Sequence, residues 1–209
     1  MAKGFTTSKK TRWAGATSLL WARESGDGNL QWEDAELTSR GETEAGVVRQ
    51  VWERAMATER IALPNRYFGS PLVGCLQTAN LTYHALSEAT TATFPLTVSE
   101  GLREIHGVHS CDRHGSRASI SSAFDFIDFD DDVPEVAGAW QQNHRETPDA
   151  AQGKLREWVE RLSGEEKGPF ISATTHTGAI RALYRAIGHP DVWVARGSLT
   201  PLMIKATSG

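Results

Sequence analysis

His176 stands in the run Thr175-His176-Thr177-Gly178, between an apolar stretch ending at Ala173 and a helical pattern that begins near Ile180. A histidine there can serve as acid, base or phosphate ligand, because its charge changes near neutral pH and a helix N-terminus offers free N–H groups to an anion. It also has a structural reading, in which the imidazole caps or hydrogen-bonds the turn between two threonines. Ser70 occupies a second junction of the same kind, between Arg66-Tyr67-Phe68-Gly69 and the stripe Leu72, Leu76, Ala79, Tyr83 and Leu86. The two junctions could share one anion pocket. Arg103, Arg113, Arg117 and Arg145 are the cations available to it, with surface ion pairing as the ordinary alternative for each.

A second group of chemically capable residues, His106, His109, Cys111, Asp112 and His114, crowds one polar loop. Their spacing matches no common structural zinc pattern, so no metal is expected there and the loop reads as solvated. The acidic-aromatic run from Asp125 to Asp132 alternates like a strand and could bind a cation, but a solvated surface loop is the commoner outcome.

The elements that must position these residues follow from periodicity and punctuation. Thr38 caps a helix running through Ala45, Val48, Trp52 and Ala55 that ends before Pro64. A strand at 66–69 leads through Ser70-Pro71, read as cap and first-turn proline, into a second helix. Residues 95–98 form another strand, and residues 105–147 are irregular. Thr147-Pro148 then opens a helix with Leu155, Trp158, Val159 and Leu162 on its apolar face, closed by Gly164. Residues 170–173 read as the clearest buried strand, followed by a helix that Gly188 ends, and residues 200–205 as a last edge strand. The order implies an α/β fold, a mostly parallel sheet with helices on both faces.

The chain has 209 residues, enough for one sizeable core, and reads as a poorly defined segment at 1–25 followed by one domain at 26–209. The basic opening before Glu24 is taken as a solvated terminus rather than a transit peptide. A net charge of -4 argues against a nucleic-acid binder, and no apolar run would span a membrane. Two cysteines, Cys75 and Cys111, suit a reducing compartment better than a disulfide framework, so a cytoplasmic protein is expected. Its partner is expected to be a small molecule; no cofactor is implied and the oligomeric state is not legible.

Several stretches, in order, resemble the phosphoglycerate-mutase-like branch of the histidine phosphatase superfamily, in its fungal form. They are Trp32-Glu33-Asp34-Ala35-Glu36-Leu37-Thr38-Ser39-Arg40-Gly41, then Ser70-Pro71-Leu72-Val73-Gly74-Cys75-Leu76-Gln77-Thr78-Ala79, Leu102-Arg103-Glu104, His109-Ser110-Cys111-Asp112-Arg113, His144-Arg145-Glu146-Thr147 and Thr175-His176-Thr177-Gly178-Ala179-Ile180. The resemblance covers about residues 26–205. It implies a nucleophilic histidine that is transiently phosphorylated, arginines and a second histidine that hold the phosphate, and a carboxylic acid that protonates the leaving group. On that pattern His176 is the second histidine and Glu104 the acid, both catalytic, while Ser70, Thr177, Arg103 and Arg113 bind substrate.

Two departures qualify the pattern. The family's Arg-His-Gly, just after an N-terminal strand, has no counterpart between Met1 and Asn29, so the resemblance implies a start that is shortened or rearranged. Gly74 stands where a phosphate-binding arginine is usual. Arg113-His114-Gly115 spells the missing motif but follows a polar loop, and is read as coincidence. The expectation is therefore a family member that acts on or binds a small phosphorylated or anionic metabolite, with phosphatase activity weak or lost. The alternative is a non-phosphatase enzyme of specialised metabolism, or a non-catalytic binding protein, reusing the fold.

Overall fold

The computed structural model describes residues 23–26, 32–90, 94–136, 140–164 and 170–205. Its sheet has four parallel strands. β1 (Arg66–Gly69) is flanked by β2 (Leu96–Val98) and by β4 (Ile171–Thr174), and β3 (Ile127–Phe129) lies outside β2, giving the order β3-β2-β1-β4. Tyr67 is in register with Leu96 and Ser172, and Phe68 with Thr97 and Ala173.

Parallel strands need long crossovers, and helices supply them. α1 (Ser39–Glu59) begins at Thr38, whose hydroxyl accepts from Gly41 N at 3.2 Å, and stops at Arg60 in the left-handed region, φ 56°. α2 is Val73–Ala89, α3 Arg117–Ala123, α4 Pro148–Gly164 and α5 Thr177–Ala186. Side chains alternate along β1, and the two middle ones define two cores. Tyr67 packs with Val48 and Trp52 of α1 and Leu76, Ala79, Tyr83 and Leu86 of α2. Phe68 packs on the opposite face with Leu155 and Trp158 of α4 and Ala179, Ala182 and Leu183 of α5. Helices therefore cover both faces, as the α/β reading requires.

Five local expectations are corrected. Leu72 rather than Ser70 caps α2, and it does so without a side-chain hydrogen bond, so Pro71 precedes the helix instead of opening it. The acidic run contains a true strand, β3, because pairing with β2 satisfies its backbone while Asp128 points outward. β4 is only half-buried, since β1 is its one strand partner among the described residues. Residues 200–205 form no strand, and Met203 is 101% exposed. The stretch read as irregular also contains α3, which Ser116 caps by accepting from Ser119 N at 3.1 Å. Residues 1–22 and 27–31, where the expected loss of a first strand falls, lie outside the described residues.

Leu155 on α4 is 0% exposed within the second core, whereas Val47 on α1 is 51% exposed. Leu155→Ala is expected to lower unfolding free energy by about 2–5 kcal/mol. Val47→Ala should change it by less than about 0.5 kcal/mol, both measured by urea denaturation.

Candidate active site

Because β1 and β4 are neighbours, their C-terminal ends and the helices that leave them lie side by side. Ser70 N donates to Thr174 O at 3.0 Å, closing the last rung between the two junctions. From there α2 presents Cys75 in its first turn, and Cys75 Sγ lies 3.1 Å from His176 Nδ1. His176 is the N-cap residue of α5 by backbone but makes no side-chain capping bond. Its imidazole thus faces across to the neighbouring helix, and the reading of it as a turn-capping residue fails.

The third wall comes from beyond β2. A 3-10 turn, Glu100–Leu102, delivers Arg103 and Glu104, and Thr175 Oγ1 anchors this segment by donating to Leu102 O at 2.5 Å. Glu104 accepts from Gly178 N at 3.0 Å through Oε2 and from Ile105 N at 2.7 Å through Oε1. The carboxylate approaches α5 so closely that a Cβ on residue 178 would overlap Glu104 Oε1, which accounts for the glycine. His176 and Glu104, assigned to catalysis from the sequence, are thus brought to the same helix end.

Burial opposes charge on His176, but the charge and hydrogen bond of the Cys75 sulfur, with the Glu104 carboxylate, outweigh it and raise the imidazole to about 9. That shift favours the protonated ring, the form suited to hold an anion. On the other side of the site a buried carboxylate, Asp34, accepts from Val73 N at 2.8 Å and from Gly115 N at 2.8 Å. It fastens the segment before α1 to the N-terminus of α2. Burial raises the Asp34 carboxyl above its ordinary range, partly offset by those two N–H donors.

The other predicted site residues are placed less uniformly. Ser70 is fully buried and its hydroxyl has no hydrogen-bond partner. Thr177 Oγ1 points to Val194 O at 3.5 Å, toward the chain after α5. Arg103 is buried, with Nε on Glu100 and Nη1 unpartnered. Arg113 is exposed, 3.4 Å from Glu33, with its guanidinium over the Trp140 ring. His114 is buried, with Nδ1 2.6 Å from Gly115 O and Nε2 3.4 Å from Glu100, so neither nitrogen is free to attack a phosphoryl group. The reading of Arg113-His114-Gly115 as coincidence fits that geometry. Two residues given no role in the sequence belong to the site, Cys75 and Asp34. Neither had a signal in the sequence beyond the motif that contains it.

The chain matches the histidine phosphatase superfamily, branch 1, over residues 21–197, and it belongs to that family. It is 35% identical over 185 residues to a probable phosphoglycerate mutase of Arthroderma benhamiae, covering 88% of this chain and 55% of that protein. It is 32% identical over 196 residues to a probable phosphoglycerate mutase of Saccharomyces cerevisiae, covering 83% of this chain and 64% of the other. The chain therefore spans about half to two thirds of the curated relatives it matches. Among solved structures, a mycobacterial glucosyl-3-phosphoglycerate phosphatase in complex with inorganic phosphate aligns with a TM-score of 0.47 at 20% identity, over 78% of this chain and 74% of that one. Among the described residues no helix is long and apolar enough to cross a membrane.

Because His176 titrates at about 9 when folded against 6.5 ordinarily, its contribution to stability is complete below about pH 6.5 and fades as pH rises through about 9. Replacing it by asparagine should flatten the pH dependence of unfolding between those limits, and Cys75→Ala should move the His176 NMR titration toward lower pH. Gly178→Ala should displace the Glu104 carboxylate. Its effect on ligand binding should then match that of Glu104→Gln, as measured by calorimetry.

Proposed function

We propose that the chain binds or acts on a small phosphorylated or otherwise anionic metabolite at the paired N-termini of α2 and α5, and that its phosphatase activity is weak or lost. The observation that carries this reading is the placement of His176, its Nδ1 3.1 Å from Cys75 Sγ, at the helix end that the Glu104 carboxylate also meets. An imidazolium helps to hold a phosphate. Phosphoryl transfer asks for more, namely a nucleophile in line with phosphorus and several cations on its equatorial oxygens. Gly74 contributes no charge, Arg113 pairs with Glu33 at the surface, and Arg103 has its Nε on Glu100.

By its likeness to phosphoglycerate mutases, a phosphorylated hydroxy acid is the first substrate to try. The proposal extends to a single domain over residues 26–209 and to a cytoplasmic protein, a placement supported by two free cysteines. A role in specialised metabolism suits a family member whose phosphate ligands are depleted.

Hydrolysis of p-nitrophenyl phosphate is the direct measurement. A rate at or near background is expected, together with a rise in melting temperature with added phosphoglycerate that His176→Ala abolishes. A robust hydrolytic rate removed by His176→Ala would overturn the proposal of lost activity. Absence of any stabilisation by phosphoglycerate or inorganic phosphate would overturn the proposed ligand class.

A further inference from the structure

The loop that joins Glu104 to His114 carries three side chains that the site above does not use. His109, Cys111 and Asp112 each offer one ligand atom, and these atoms all lie within 4.8 Å of one another. Cys111 Sγ is 3.4 Å from Asp112 Oδ1, and His109 Nδ1 is 4.0 Å from Asp112 Oδ2. In a tetrahedral zinc site with Zn–S of about 2.3 Å and Zn–N and Zn–O of about 2.0 Å, ligand atoms stand roughly 3.3–3.6 Å apart. The Cys111–Asp112 edge is thus already at coordination length, while the His109–Asp112 edge, which runs to the other carboxylate oxygen, would have to shorten on binding.

The sequence spacing alone matched no zinc pattern, and the turn explains why the residues still meet. Ser110–Asp112 is a 3-10 turn, in which His109 and Asp112, three positions apart, eclipse one another, and Cys111 meets the same carboxylate from beside it. The backbone frame is well held: Asp112 N donates to His109 O at 3.2 Å, Trp140 Nε1 to the same oxygen at 2.8 Å, and Ser110 Oγ to Glu24 O at 2.6 Å. Arg145 Nη1 donates to Asp112 Oδ2 at 2.5 Å and to Gly107 O at 2.8 Å. It orients the carboxylate as outer donors orient metal ligands, and it leaves Oδ1 turned toward Cys111.

We propose that His109, Cys111 and Asp112 bind one divalent transition-metal ion of the zinc class, with water in the fourth position. Sulfur and imidazole favour zinc over magnesium or calcium, which take oxygen ligands. Binding displaces the Cys111 thiol proton to solvent, and the resulting thiolate joins the Asp112 carboxylate, which Arg145 already shares, in facing the ion. His109 is 40% exposed in its side chain, so the fourth position opens outward. The ion pins the apex of the loop whose two ends are Glu104, on α5, and His114, on Glu100.

The test uses the full chain, purified without chelator. About one equivalent of zinc is expected, and Co2+ titrated into chelator-treated protein should give visible d–d bands with a near-ultraviolet sulfur-to-metal band. Both should disappear in Cys111→Ser and persist in Cys75→Ser. His109→Ala, at a half-buried position outside both apolar cores, should weaken Co2+ binding on the order of 100-fold and decides the matter if Cys111→Ser does not fold. Less than stoichiometric binding, a cobalt spectrum unchanged in Cys111→Ser, or affinity unaltered in His109→Ala would each overturn the proposal.

Discussion

The two-oxygen grip of Glu104 on the backbone N–H groups of Ile105 and Gly178 is the constraint on which the site depends. It satisfies a donor that the first turn of α5 would otherwise leave unpaired, and it places a negative charge where the helix end is positive. Gly178 permits it, because any side chain there would occupy the carboxylate's position. His176 lies two residues away on the same junction, so acid and imidazole move as one unit. The arrangement also constrains chemistry. Both oxygens already accept N–H bonds, and a Glu104 that delivers a proton must turn one of them away from its donor.

The loop that follows Glu104 is held by charges rather than by an apolar core. Glu100 sits between Arg103 and His114, and burial of its carboxyl is outweighed by those two partners, which lower it. Glu146 lies between His106 and Lys154, and despite burial they bring its carboxyl down to about 2. Asp34 reaches the same loop through Gly115 N. Buried pairs of this sort recover their desolvation cost only in good geometry, and breaking one leaves a charge stranded. Such a loop is specified by its polar partners, which periodicity does not reveal.

That difference governs how much could be read from the sequence. α1, α4, β1 and the end of α5 announce themselves through apolar stripes, Thr38, Thr147-Pro148 and Gly188, all local features. His176 and Glu104 were legible because each follows a strand-derived turn. Cys75 and Asp34 were not, because their significance lies in partners 101 and 39 residues away, His176 and Val73. β3 was obscured by its acidic flanks, since a strand of three residues has too few alternations to stand out from a loop. Residues 200–205 erred the other way, carrying strand-like composition without a partner strand among the described residues.

The two helix N-termini that seemed ready for a phosphate are each already met by a carboxylate, Asp34 on Val73 N and Glu104 on Gly178 N. A helix end attracts an anion by about 0.3–2 kcal/mol. A carboxylate about 5 Å from one phosphate charge repels it by about 3 kcal/mol at the effective dielectric of a protein surface. The imidazolium of His176 offsets roughly one such repulsion and leaves the other. Net attraction for a dianion must then come from Arg103, or from neutralisation of Asp34, whose carboxyl burial has already raised toward protonation. On the proposed reading, a site with glycine at position 74 and with its own anions at both helix ends would hold a phosphate weakly, and transfer of the phosphoryl group would be the first property to go.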